Sequence, residues 1–284
     1  MYTLNFMPSL NVKSLLKTLV LIWTMFSVET FAETITYNTS RDWSSWTKIK
    51  MSDKDKHLYC SGTSTFFTGN KKIKISPDKV YSIQASARAV NIQNEKKAKT
   101  AVGFRPLTAN NRTIFMENAS IVANGLTTLI SDARKGDKQI ILKRNPKMVF
   151  KPNIMALVKD AKADLSDLPN FNVLAVSLKS LQTSKDGKWI LTLKNPLAAD
   201  VKAGTSVRFH NYGVYMNTGG ISNVGQEWIT FRGSVQGISS NGGYSPVIWP
   251  AGTVYAIPYI YHNTNKSPSA VEYQNVTVTI SDKK

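Results

Sequence analysis

Apolar and polar residues alternate with a period of two over much of the chain. In Val80–Arg88 the apolar residues Tyr81, Ile83, Ala85 and Ala87 sit at every second position, between mostly polar neighbours. This is the pattern of a strand with one buried and one wet face. Lys72–Ile75 and Val276–Ile280 alternate in the same way. The dipeptide Asp186-Gly187 separates the strand-like run Val173–Ser184 from Lys188–Lys194 and predicts a hairpin with a tight primed turn, and Pro196 then stops the second strand. No segment combines a sustained 3.6-residue period with caps at both ends. The expected fold class is therefore all-β, a jelly-roll sandwich.

Residue usage divides the chain unevenly. The parts at 33–124 and 209–284 hold most of the aromatic residues, whereas 125–208 carries short strand-like runs joined by turns rich in Lys, Asp and Pro. The two outer parts are expected to make one split jelly-roll sandwich, and the middle a small β-barrel-like subdomain inserted between two of its strands. No internal repeat is visible.

The first 32 residues change the picture of the compartment. Lys13 and Lys17 precede the apolar run Leu19–Val28, and small residues follow at Thr30 and Ala32. That is the layout of a signal peptide cleaved after Ala32, and the run is shorter than the roughly 20 residues of a membrane-spanning helix. A secreted or cell-envelope protein of bacterial type is expected, with 252 residues after cleavage. A single cysteine, Cys60, excludes an intrachain disulfide, so stability has to come from a core in which Cys60 is a small buried side chain. The chain carries 36 basic and 18 acidic residues, net +18, falling to +17 without the leader. For an exported protein this charge points to anionic polysaccharide or another acidic surface rather than nucleic acid. The lysines are nevertheless dispersed, as in Lys71-Lys72-Lys74 and Lys143-Arg144-Lys147, in the manner of a solvated face.

Several stretches recur in an order known from one family. These are Trp43–Lys50, Asp78–Tyr81, Gly103-Phe104-Arg105, Glu227-Trp228 with Phe231, Trp249–Tyr255 and Tyr273–Val278. Their succession resembles carbohydrate-binding modules of the galactose-binding-like jelly-roll class, in the branch found on xylan- and glucan-degrading enzymes. The resemblance covers the two outer parts and implies a polysaccharide or surface glycan as partner, with a binding site on one sheet face. The chain offers such a face in Tyr255, Tyr259 and Tyr261, which alternate with Ala256, Pro258 and Ile260. Sugar rings present apolar C–H faces that stack on aromatic rings, and their hydroxyls need polar neighbours. Trp228, Trp249 and Tyr212 or Tyr215 are candidates to extend this platform, with Arg208 as a polar neighbour, while Trp43, Trp46 and Trp189 are expected in the core.

Catalytic and metal chemistry find little support. His57, His210 and His262 have no zinc spacing, and no carboxylate pair stands out for glycoside hydrolysis. The segment Arg208–Tyr215 resembles the tyrosine-bearing strand of jelly-roll uronate lyases, with Arg208 neutralising a carboxylate and His210 or Tyr215 moving protons, but the companion motifs are missing. In a plain strand Arg208 and His210 would share a solvent-facing side. A structural or envelope-interaction protein is the third reading. No cofactor is expected. A structural calcium remains open, with Asp42 or Glu272 assisted by backbone carbonyls.

Overall fold

The computed structural model describes residues 32–62, 64–90, 92, 97–213 and 216–283. The expected leader lies outside them except for Ala32. Eight strands come first: β1 (Glu33–Thr36), β2 (Trp43–Ser45), β3 (Ser52–Lys54), β4 (His57–Cys60), β5 (Thr65–Gly69), β6 (Ile73–Lys74), β7 (Lys79–Val90) and β8 (Ala98–Leu107). One helical turn at Met116–Ala119 precedes β9 (Ile121–Thr128), β10 (Gln139–Leu142), β11 (Met155–Lys159), β12 (Val173–Val176), β13 (Ser180–Thr183), β14 (Trp189–Thr192) and β15 (Ser206–Asn211). The chain ends with β16 (Met216–Val224), β17 (Ile229–Gln236), β18 (Tyr255–His262) and β19 (Ala270–Asp282). Among the described residues no helix is long and apolar enough to cross a membrane.

The first sheet has the order β17-β7-β19-β4-β3, with β1 also on β19, and the second has β16-β8-β18-β5-β2, with β6 on β18. All their pairings are antiparallel. The inward residues of both sheets, including Tyr81, Ile83, Ala85, Val102, Phe104, Ile260, Val271 and Tyr273, share one buried cluster. This is a jelly-roll sandwich, and the alternation in Val80–Arg88 is its direct cause. Cys60 lies in that core, where burial pushes its thiol up to about 12.

Two glycines fix where the sheets meet. A methyl on Gly103 of β8 would stand 1.9 Å from the Met216 carbonyl oxygen, and one on Gly233 of β17 would stand 1.7 Å from that of Thr218. The start of β16 therefore lies backbone to backbone against β8 of its own sheet and β17 of the other, and a Cβ at either glycine would collide with it. Pro258 sits in the central strand β18 between the stretch that pairs β6 (Tyr255–Ala256) and the stretch that pairs β5 (Tyr259–His262). Its missing N–H falls in that gap and interrupts no ladder on that side.

After β8 the chain leaves the sandwich, and it returns at β16, the sheet neighbour of β8. Between them lie a four-stranded sheet, β12-β11-β15-β9, and a three-stranded sheet, β10-β14-β13, with a buried cluster of their own that includes Leu142, Leu157, Trp189, Leu191 and Phe209. The expected boundaries at 125 and 208 cut through β9 and β15, which pair with each other. The single strand expected over Val173–Ser184 is two strands in different sheets, broken at Ser177 with φ 55°. At the hairpin only Gly187 has positive φ (79°), its N–H bonding the Ser184 carbonyl at 3.0 Å. This is a turn followed by a glycine bulge rather than the primed turn expected.

Candidate functional site

The outer faces of the two sheets differ in chemistry. On the first, neighbouring hydroxyls pair across strands, Ser82 with Ser234 at 2.7 Å and Ser86 with Thr230 at 3.2 Å. On the second, β18 directs Tyr255, Ile257, Tyr259 and Tyr261 outward while Ala256 and Ile260 enter the core. Phe66 of β5 pairs with Tyr261 in register. Its ring stacks on Tyr259 at 4.8 Å and meets Tyr261 edge-on at 5.7 Å.

Trp46 completes this group. It follows β2, and a spacing of three from Trp43 places the two indoles on opposite sides of an extended chain. Trp43 turns into the core and Trp46 outward, where its ring lies 4.7 Å from Phe66 and 52% of the residue is exposed. The Arg105 guanidinium stands 5.4 Å from the Trp46 ring centroid, the geometry of a cation–π contact that holds the ring. The result is a layered aromatic platform in which Tyr259 and Phe66 are the buried base, Trp46 the exposed crest and Tyr261 the half-buried flank.

The expected site residues are only partly brought together. Tyr259 and Tyr261 share the platform, but Tyr259 is fully buried, its hydroxyl donating to Asn217 Oδ1 where the start of β16 covers it. Tyr255 is on the same face at the far end of the strand, roughly 20 Å from Tyr261 at about 3.3 Å per residue, with Lys72 Nζ 4.5 Å from its ring centroid. Trp228 belongs to the other sheet, where Arg88 lies 4.8 Å from its ring centroid and the His57 ring lies at 5.2 Å. Trp249 is a core residue, fully buried edge-on to Tyr81 and Phe104. Tyr215 lies outside the described residues. Trp43 and Trp189 are buried as expected, whereas Trp46 is not.

Arg208 is a structural residue and not a surface ligand group. It is 2% exposed and donates to Asp167 Oδ2 at 2.6 Å, to the Lys162 carbonyl at 2.9 Å and to His210 Nε2 at 2.9 Å. Burial alone would raise the Asp167 carboxyl, but hydrogen bonds from Asn170 and Arg208 outweigh it and hold the group below its ordinary value. Burial, reinforced by the Arg208 charge, pushes His210 down to about 3. The pair therefore does not share a solvent-facing side. Arg208 has its charge matched by Asp167, and His210 is neutral and sealed, so neither is placed to neutralise or deprotonate a polymeric uronate. The carboxylates considered for calcium are also engaged: Asp42 accepts from the Thr39 N–H and hydroxyl at 3.0 and 2.9 Å, and Glu272 accepts from Arg88 at 2.8 Å. Among the described residues no group of three or more His, Cys, Asp or Glu side chains could hold a metal ion.

No family model matches the chain, and no curated protein matches it. Among solved structures it is similar to one described as "CBM4 structure and function", at 11% identity and TM-score 0.32, covering 89% of this chain and 97% of that one. It is similar at 7% identity and TM-score 0.33 to the CBM22-1 xylan-binding domain of Paenibacillus barcinonensis Xyn10C, covering 89% and 95%. A lectin from Bauhinia forficata in complex with GalNAc is a third such structure, at 6% identity and TM-score 0.31, covering 90% and 99%. Likeness at these TM-scores carries no argument, so the chemistry rests on the chain's own residues. An exposed indole packed on Phe66, with the Arg105 guanidinium over its ring, can stack its open surface on the apolar face of a sugar and offers donors to its hydroxyls.

Proposed function

We propose that this protein is a non-catalytic glycan-binding module, exported to the envelope or beyond, that holds a polysaccharide or surface glycan on the Trp46 platform. The observation that carries this reading is the 52% exposure of Trp46 on a layer of further rings, Phe66 and then Tyr259, whereas among the described residues Trp228 on the other sheet meets the His57 ring and Arg88. A large apolar side chain held open to water by packing beneath it and a cation beside it is a preformed binding surface. The leader-like opening of the chain supports export. The residues around 125–208, with their own core, are proposed as an inserted β unit that leaves the platform to the sandwich.

Binding of the purified protein and its Trp46→Ala and Tyr261→Ala variants to a panel of polysaccharides by affinity electrophoresis and calorimetry tests this. Trp46→Ala is expected to weaken binding at least tenfold, equivalent to about 1.4 kcal/mol, with little change in melting temperature. A folded Trp46→Ala variant that binds every ligand as the wild type does removes the platform from the account.

A further inference from the structure

Beside the platform, a cavity of about 420 Å³ opens at the edge of the sandwich along β2. Its inner wall is Trp43 and Phe67, and its rim carries the hydroxyls of Ser45 and Thr47 together with Arg41 and Lys50. The two hydroxyls lie 3.2 Å apart and are fixed by the backbone, the Thr47 N–H donating to Ser45 Oγ at 3.1 Å and the Ile49 N–H to Thr47 Oγ1 at 3.2 Å. The Arg41 carbonyl is tied by the Asn70 side-chain amide at 2.6 Å, which orders that side of the rim.

The rim carries two cations, Arg41 and Lys50, and meets one carboxylate, Asp53, held on Ser40. Among the described residues neither Arg41 nor Lys50 makes an ion pair. Asp42 and Asp53 do not line the cavity, although Asp53 meets its rim at Ser40, a lining residue to which both of its oxygens are tied. Asp53 accepts from the Ser40 N–H and hydroxyl at 2.7 and 2.8 Å, and Asp42 caps its own turn and stands 4.0 Å from Lys71. The cavity therefore presents fixed hydroxyls and an aromatic wall below two cations without partners among the described residues. Those are the requirements of a sugar ring bearing a carboxylate: hydroxyls for its hydroxyls, rings for its C–H face, cations for its anion.

We propose that this edge cavity is a second subsite that takes an acidic, uronate-type sugar of the glycan whose neighbouring residue stacks on Trp46. The two features flank the same sheet edge, with Trp46 between Ser45 and Thr47 in the chain and its ring on the outer side, so the glycan crosses that edge from one to the other. The proposal rests on the glycan-binding reading and narrows it to carboxylate-bearing chains.

The test is calorimetric titration with a uronate-containing oligosaccharide and with the same oligosaccharide after reduction of its carboxylates to alcohols. The proteins compared are the wild type, Trp46→Ala, Arg41→Gln/Lys50→Gln and a control altered at Lys143, Arg144, Lys147 and Lys151. The wild type should prefer the uronate form at least tenfold. Arg41→Gln/Lys50→Gln should lose that preference while binding the reduced form unchanged, and Trp46→Ala should lose both. Equal wild-type affinity for the two ligands overturns the subsite and leaves the platform standing. So does a preference that survives in Arg41→Gln/Lys50→Gln, or one that disappears only in the lysine control. No binding of either ligand by the wild type overturns both readings.

Discussion

Single side chains in this protein are decided by which side of a sheet they occupy and by what covers them. Trp46 and Trp249 both lie outside the named strands, yet one is 52% exposed and the other fully buried. Replacing Trp46 by Ala is expected to change stability by less than about 1 kcal/mol, as for other exposed positions. Trp249→Ala should cost about 3–5 kcal/mol through the cavity it leaves between Tyr81 and Phe104, and urea unfolding of both variants checks the contrast. Histidine behaviour follows the same rule. His262 is fully buried, with Nδ1 2.9 Å from the Tyr273 hydroxyl, and burial pushes it down to about 4. An unfolded histidine protonates near 6.5, so between pH 6.5 and 4 the unfolded chain binds the proton that the folded one refuses. Stability should therefore be full above pH 6.5 and decline as pH falls toward 4, with His210 adding to the loss. Melting temperatures across that range should fall for the wild type and fall less steeply for a folded His262→Gln variant.

At the scale of elements, the alternating strands were legible because a period of two needs no tertiary knowledge. The strand from Val80 to Arg88 and the tyrosine face of β18 follow directly from their sequences. The platform was only half legible. The spacing of Trp43 and Trp46 signals opposite faces, but Thr65-Phe66-Phe67 has no alternation to show that Phe66 faces outward. Nor does anything local show that the start of β16 covers Tyr259. Trp228 and Trp249 could not be placed because sheet membership is set by long-range pairing. Arg208 and His210 alternate as a wet face does. They are buried because the loop carrying Asp167 and the turn at Met116–Ala119 close over them. Arg208→Ala is expected to destabilise by about 3–5 kcal/mol, since it strands the Asp167 carboxylate in the interior. Arg208→Met combined with Asp167→Leu should recover much of that loss, as chemical denaturation would show. Gly103→Ala and Gly233→Ala should each cost about 1–3 kcal/mol through collision with the β16 backbone. Unchanged stability in both would mean that β16 does not lie against β8 and β17 as described.

For the whole molecule, the acid-free run richest in cations is separate in sequence from the aromatic platform. The run from Lys138 to Lys159 contains six cations and no acidic residue, whereas the platform is built from rings, with Arg105 over Trp46. Binding of a neutral glycan at Trp46 should change little between about 0.1 and 1 M salt, where exposed charge interactions are strongly screened. Attraction of anionic chains to the lysines should fade over that range. A two-dimensional NMR titration of the tryptophan indole N–H signals with a glycan that binds distinguishes the two sheet faces. From residue 33 onward the chain has five, Trp43, Trp46, Trp189, Trp228 and Trp249, each assignable by substitution. The Trp46 signal is expected to move furthest on binding, with Trp189 and Trp249 still. Saturating glycan that leaves Trp46 unmoved while shifting Trp228 would contradict the Trp46 platform and place the site on the opposite sheet.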